Sequence, residues 1–200
     1  MKRIAIISAL FIGCLHGNIR ESSVTIPSVN IEATDPLLNF KSGQWFYKDK
    51  LFSGIITEKY SNNVIHHITG YVNGKEEGWQ QSFFEDSKPE EKRYYHGGEK
   101  DSVHTGWWQN GNKRFEYHFR NGSYDGDYKE WYTTGELLKH IHYTNGVDDW
   151  GKGWRQNGKL YMNFVTKDGR RYGLNNSNLC YTVKNGEGEF IASVEDNSSK

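Results

Sequence analysis

From Phe115 to Phe119 the chain alternates Phe-Glu-Tyr-His-Phe, aromatic at 115, 117 and 119 and polar at 116 and 118. Successive side chains of a strand point to opposite faces, so this period of two predicts a strand with one aromatic and one polar face. Gly74, Gly98, Gly122, Gly146 and Gly169 end turn-like segments at intervals of 24, 24, 24 and 23 residues. A second turn series, Ser87, Gly111, Gly135 and Gly158, runs 11 residues ahead of members of the first, and Asn63 stands in the same relation to Gly74. The aromatics keep this register. Phe83, Trp107 and Trp131 lie nine residues after a first-series glycine and Trp154 eight after Gly146, while Tyr71, Tyr95, Phe119 and Tyr143 each lie three before one. Asn121-Gly122, Asn145-Gly146 and Asp168-Gly169 supply the positive φ that tight hairpin turns require. One hairpin with a single apolar face cannot bury it alone, so successive units must extend a common sheet.

These spacings predict an all-β fold, an elongated meander or solenoid of 24-residue β-hairpin repeats over residues 41–173. Residues 174–200 then form a C-terminal capping strand, near Leu179 to Val183, and a tail. Without that cap, the edge hairpin would pair with another chain.

The unit Gly126-Asp-Tyr-Lys-Glu-Trp-Tyr-Thr-Thr-Gly-Glu-Leu-Leu-Lys-His-Ile-His-Tyr-Thr-Asn-Gly146 resembles the MORN repeat variant. So does the unit from Trp107 to Gly122, and the array over residues 45–173 resembles the bacterial YwqK-type family that carries an antitoxin label. A degenerate first unit surrounds Lys48 to Gly54. The resemblance implies a MORN-like hairpin array serving as a binding or assembly module.

Composition narrows the reading further. Beyond residue 13 the chain has 29 aromatics, 27 Val, Ile and Leu, and two Ala, a balance that argues against an amphipathic helix bundle. The aromatic content also argues against disorder, despite a low mean hydropathy. The formal charge is zero, and removing Lys2 and Arg3 makes it 23 minus 25, or −2. No bulk charge attracts a nucleic acid.

The start, Met1-Lys-Arg followed by the apolar run Ile4 to Ile12, has the layout of a signal peptide over residues 1–13. Its nine residues, apolar but for Ser8, are too few to span a bilayer as a helix. Phe11-Ile12-Gly13-Cys14 resembles the bacterial lipobox, which implies lipidation of Cys14 and an exported, lipid-anchored protein of the cell envelope. The mixed, polar stretch that follows, with Glu21-Ser22-Ser23, Pro27 and Pro36, reads as a tether over residues 14–40. Cleavage near Gly17, giving a secreted or periplasmic chain, is the alternative. Cys180, the other cysteine, then has no intrachain partner and reads as a small buried hydrophobe.

Little chemistry rises above this pattern. His140 and His142 share a strand face and His118 matches His142 one repeat earlier, but the expectation is solvated histidines, with no metal site. No G-x-S-x-G occurs, and Gly186-Glu187-Gly188 lacks the helix of a dinucleotide loop. Asp125 with Asp127 and Asp148 with Asp149 read as turn chemistry, so no catalytic residue and no cofactor are expected. Trp107, Trp131 and Trp154 read as core rungs, while Trp108 and Tyr132 fall on the opposite face as an exposed surface for a partner. The expected function is non-enzymatic protein binding in the bacterial envelope. An immunity protein neutralising a toxin, and a glycan-binding or cell-wall enzyme module, are the alternatives.

Overall fold

Left-handed backbone at the turns sets the architecture. Asn73 and Gly74 have φ of 50° and 79°, Asn121 and Gly122 48° and 79°, Asn145 and Gly146 49° and 82°, Asp168 and Gly169 50° and 70°. Two successive positive φ values give the tight turn whose twist matches its flanking strands. The second turn series is just as regular. The Trp108 amide donates to the Asn112 carbonyl and the Gly111 amide to the Trp108 carbonyl, a pattern repeated from Tyr60, Phe84, Tyr132 and Arg155.

The computed structural model describes residues 24–174, 183–184 and 190–191. The expected signal segment, Cys14, Cys180 and most of the expected cap lie outside them. Every regular element among the described residues is a strand: β1 (Asn30–Glu32), β2 (Leu38–Lys41), β3 (Gln44–Tyr47), β4 (Lys50–Leu51), β5 (Gly54–Lys59), β6 (Ile65–Val72), β7 (Lys75–Phe83), β8 (Pro89–His96), β9 (Glu99–Trp107), β10 (Lys113–Arg120), β11 (Ser123–Trp131), β12 (Leu137–Thr144), β13 (Val147–Trp154), β14 (Leu160–Lys167) and β15 (Arg170–Leu174), then β16 (Val183–Lys184) paired with β17 (Phe190–Ile191). The strands β5 to β15 form one antiparallel meander in chain order, and β1 adds in parallel beside β5 to complete a 12-stranded open sheet. The expected all-β hairpin array is the fold.

Register puts Phe115, Tyr117 and Phe119 on one face with Tyr124, Tyr128 and Glu130 across from them on β11. Glu116, Lys129, Asp127, His140 and His142 follow one another on the opposite face. Within the repeats the pairing slips near Tyr71, Tyr94, Phe119 and Tyr143, close to the first-series turns. Each slip is a bulge, which leaves an extra residue on one strand and changes which side chains share a face.

Adjacent hairpins are joined twice over. The Gly74, Gly98, Gly122 and Gly146 amides donate to the carbonyls of Phe52, Glu76, Lys100 and Tyr124, one unit back. In the other direction, the Tyr60 hydroxyl donates to the Phe83 carbonyl at 3.0 Å, the Trp108 indole Nε1 to the Trp131 carbonyl at 3.1 Å, and the Tyr132 hydroxyl to the Trp154 carbonyl at 3.0 Å. Phe84 occupies the same turn position without a donor.

Residues 24–40, which the sequence reading gave to the tether, belong instead to the folded body. Ile26 occupies the space that side chains at Gly70 and Gly78 would take, β1 pairs with β5, and β2 pairs with β3. The apolar residues Val24, Ile26, Val29 and Ile31 explain why this stretch packs rather than trails. The β2–β3–β4 sheet closes that end of the meander by laying Trp45 and Tyr47 against Leu38, Phe52, Ile56 and Tyr71. At the other end Ile141, Met162 and Phe164 form a second cluster, and β15 is exposed along its length.

Candidate functional site

Over β8 to β12 the aromatic face forms a cleft of about 530 Å³. Its floor follows from the period-two pattern of β10. Phe115 and Tyr117 stack with centroids 4.5 Å apart and planes 12° apart, and Tyr117 stacks in turn on Tyr128 at 4.2 Å and 21°. Phe119, Tyr124 and Tyr143 continue a second stack at 4.5 and 5.1 Å. Phe115 can lie down because Gly106 faces it across the β9–β10 ladder: a Cβ there would come 2.2 Å from the ring. His104 fills the gap between Tyr95 and Phe119 and is fully buried. Its Nε2–H donates to the Tyr94 carbonyl at 2.8 Å. Burial, with Arg93 and Lys100 close by, pushes its pKa below the usual histidine value despite that bond.

Cations rim the floor. Arg93 and Arg114 both pair with Glu91, and the Arg114 guanidinium also lies 5.2 Å from the Phe115 ring centre and 5.7 Å from that of Trp108. Lys100 Nζ sits 5.2 Å over Phe119. The Arg93 Nε is buried and has no hydrogen-bond partner. Facing these cations is the half-buried carboxylate of Glu130, which accepts from the Tyr117 hydroxyl at 2.8 Å, the Tyr128 hydroxyl at 2.5 Å and the Lys139 ammonium at 2.9 Å. Burial opposes its ionisation, but the bonds from Lys139, Tyr128 and Tyr117 outweigh that and hold it below the usual carboxylate range. Burial and the same carboxylate push both phenols up, so they remain protonated donors. The cleft thus offers apolar ring area, positive charge and one fixed negative charge.

Trp108 and Tyr132 are placed differently from the sequence reading. Trp108 lines the same cleft as Trp131 rather than the far side, and its indole N–H is taken by the Trp131 carbonyl. Tyr132 is half-buried with its hydroxyl bound to the next unit. Register slips at Lys113/Phe115 and Glu130/Trp131, beside these turns, break the strict alternation on which the opposite-face assignment rested. Trp107 and Trp154 do not line the cleft with Trp131. His140 and His142 are half-buried against Trp150, with their ring nitrogens 3.0 and 3.2 Å from the Asp127 carboxylate. Although burial works against it, the bonds from His140, Lys129 and His142 hold that carboxyl well below its usual range. Asp148 binds Arg171 through both carboxylate oxygens at 3.0 Å. Sequence reasoning found the floor at 115, 117 and 119 but not the rim residues Arg93, Lys100, Arg114 and Glu130, whose meeting depends on pairings across four strands.

Compared with protein-family models and with curated proteins, the chain matches none.

Proposed function

We propose that this chain is a non-enzymatic, MORN-like repeat module of the bacterial envelope that binds a protein partner through the aromatic cleft, held near the membrane by a lipidated Cys14. The observation that carries this reading is the stack running from Phe115 through Tyr117 to Tyr128, rimmed by Arg114 and Lys100 and faced by an ionised Glu130. Buried aromatics and arginines of this kind anchor protein interfaces. Charges of both signs around them give orientation and register to a peptide carrying an acidic and an apolar side chain.

The same stack speaks against the glycan alternative. Sugar rings lie on open aromatic faces, whereas these rings spend their faces on one another and on guanidinium groups. The protonated phenols of Tyr117 and Tyr128 suit hydrogen-bond donation rather than nucleophilic attack.

The test compares proteins cross-linked to the full chain in envelope fractions for wild type and for Lys100→Glu with Arg114→Glu. The double variant is expected to recover its specific partner at least tenfold less well while keeping the wild-type far-UV spectrum. Equal recovery would remove the cleft from the binding surface.

A further inference from the structure

The β5–β6 hairpin brings together three metal-ligating side chains that belong neither to the cleft nor to the Asp127 group. On a regular strand His66 and His67 would point to opposite faces. Here the ladder slips: Glu58 pairs with His67 and Lys59 with Ile65, so His66 is the extra residue of a bulge. The two imidazoles consequently meet, with ring centres 3.9 Å apart, and both turn toward Glu58. The Glu58 carboxylate oxygens lie 3.6 Å from His66 Nδ1 and 3.4 Å from His67 Nδ1, and one ligand atom from each residue falls within 4.8 Å of the others.

Two further observations point to a cation. His67 Nδ1 is buried and has no hydrogen-bond partner, since the carboxylate oxygen 3.4 Å away does not complete a bond to it. Buried polar atoms are normally paired, so an orphaned nitrogen facing a carboxylate is a site that a ligand would satisfy. The separations also fit. A tetrahedral ion with bonds of about 2.0–2.1 Å holds its ligand atoms about 3.3 Å apart, close to the spacing already present between oxygen and nitrogen. The Tyr60 ring packs on His66 at 4.3 Å and fixes one wall. Glu90 adds negative charge nearby and acts electrostatically on His67.

We propose that Glu58, His66 and His67 bind one divalent transition-metal ion of the zinc class. Two imidazoles and a carboxylate are the ligand set that borderline ions of this kind favour over the all-oxygen sets of calcium or magnesium. Three protein ligands leave a coordination position for water. The ion would tie the tip of β5 to the start of β6, beside the first of the hydroxyl links between units.

The experiment uses the untagged full chain, stripped with chelator and titrated with cobalt(II), followed by zinc in competition with a chromophoric chelator. Wild type is expected to take up one ion with a micromolar or tighter dissociation constant and to give the visible absorption of low-coordinate cobalt(II). Glu58→Gln, isosteric at an exposed position, and His66→Ala should each weaken binding at least tenfold with an unchanged far-UV spectrum, whereas His140→Ala should bind as wild type does. Absence of micromolar uptake by wild type would overturn the proposal. So would equal affinity in the Glu58→Gln and His66→Ala variants.

Discussion

One hydroxyl group, that of Tyr132, shows how a single residue joins neighbouring hairpins. It reaches the Trp154 carbonyl of the next unit, as Tyr60 reaches Phe83 and as the Trp108 indole reaches Trp131. Removing such a donor strands a carbonyl in a half-buried setting, so Tyr132→Phe should lower unfolding stability by about 1 kcal/mol in urea titration. No change would mean that water replaces the hydroxyl without loss. The placement of Trp108 and Tyr132 was not legible in the sequence, because alternation assigns faces only while the ladder is regular, and bulges beside the turns interrupt it. His66 and His67 escaped notice for the same reason. His104 carries a prediction of a different kind. Burial, followed by Arg93 and Lys100, holds its pKa below 6.5, so as pH falls the unfolded chain binds the proton first and the folded state loses stability. Between about pH 7 and about pH 5 the fall in stability should be shallower for His104→Phe than for wild type. Identical slopes would show that the linked proton binds elsewhere.

At the scale of the hairpin, the sequence was most informative. Asn-Gly and Asp-Gly pairs at fixed intervals predicted turns with positive φ, and Asn121, Asn145 and Asp168 have it. The aromatic alternation of β10 likewise predicted the aromatic face, on which the cleft floor lies, because one strand carries the whole pattern. The rim could not be read in this way: Arg93, Lys100, Arg114 and Glu130 come from β8, β9, β10 and β11, and only the ladder register sets them side by side. Packing between strands gives a sharp prediction at Gly106. An added methyl would collide with the Phe115 ring, so Gly106→Ala should cost about 3 kcal/mol through displacement of that ring. Gly158, where a Cβ would meet nothing within 4 Å, should cost only about 1–2 kcal/mol for its left-handed backbone. Thermal or urea unfolding of both variants checks the comparison, and an Ala at 106 as mild as the one at 158 would mean that Phe115 has room to move. A displaced Phe115 also breaks its stack on Tyr117, so the Gly106 variant should lose partner binding along with stability.

Across the whole molecule, one open sheet presents two unlike faces. The first carries the stacked rings, their cationic rim and Glu130; the second carries Asp127 with its histidines, and Lys152 beyond them. The β2–β3–β4 sheet covers one end, a feature the sequence reading missed because it set residues up to 40 apart as a tether. Under the proposed function, partner recognition lies on the first face alone. Its most direct test replaces Tyr124, in the cleft, or Lys152, on the far face, with a photo-cross-linking benzoylphenylalanine in the full chain and irradiates living cells. A discrete cross-linked protein is expected from position 124 and none from 152. A discrete product from 152 with none from 124 would contradict that placement.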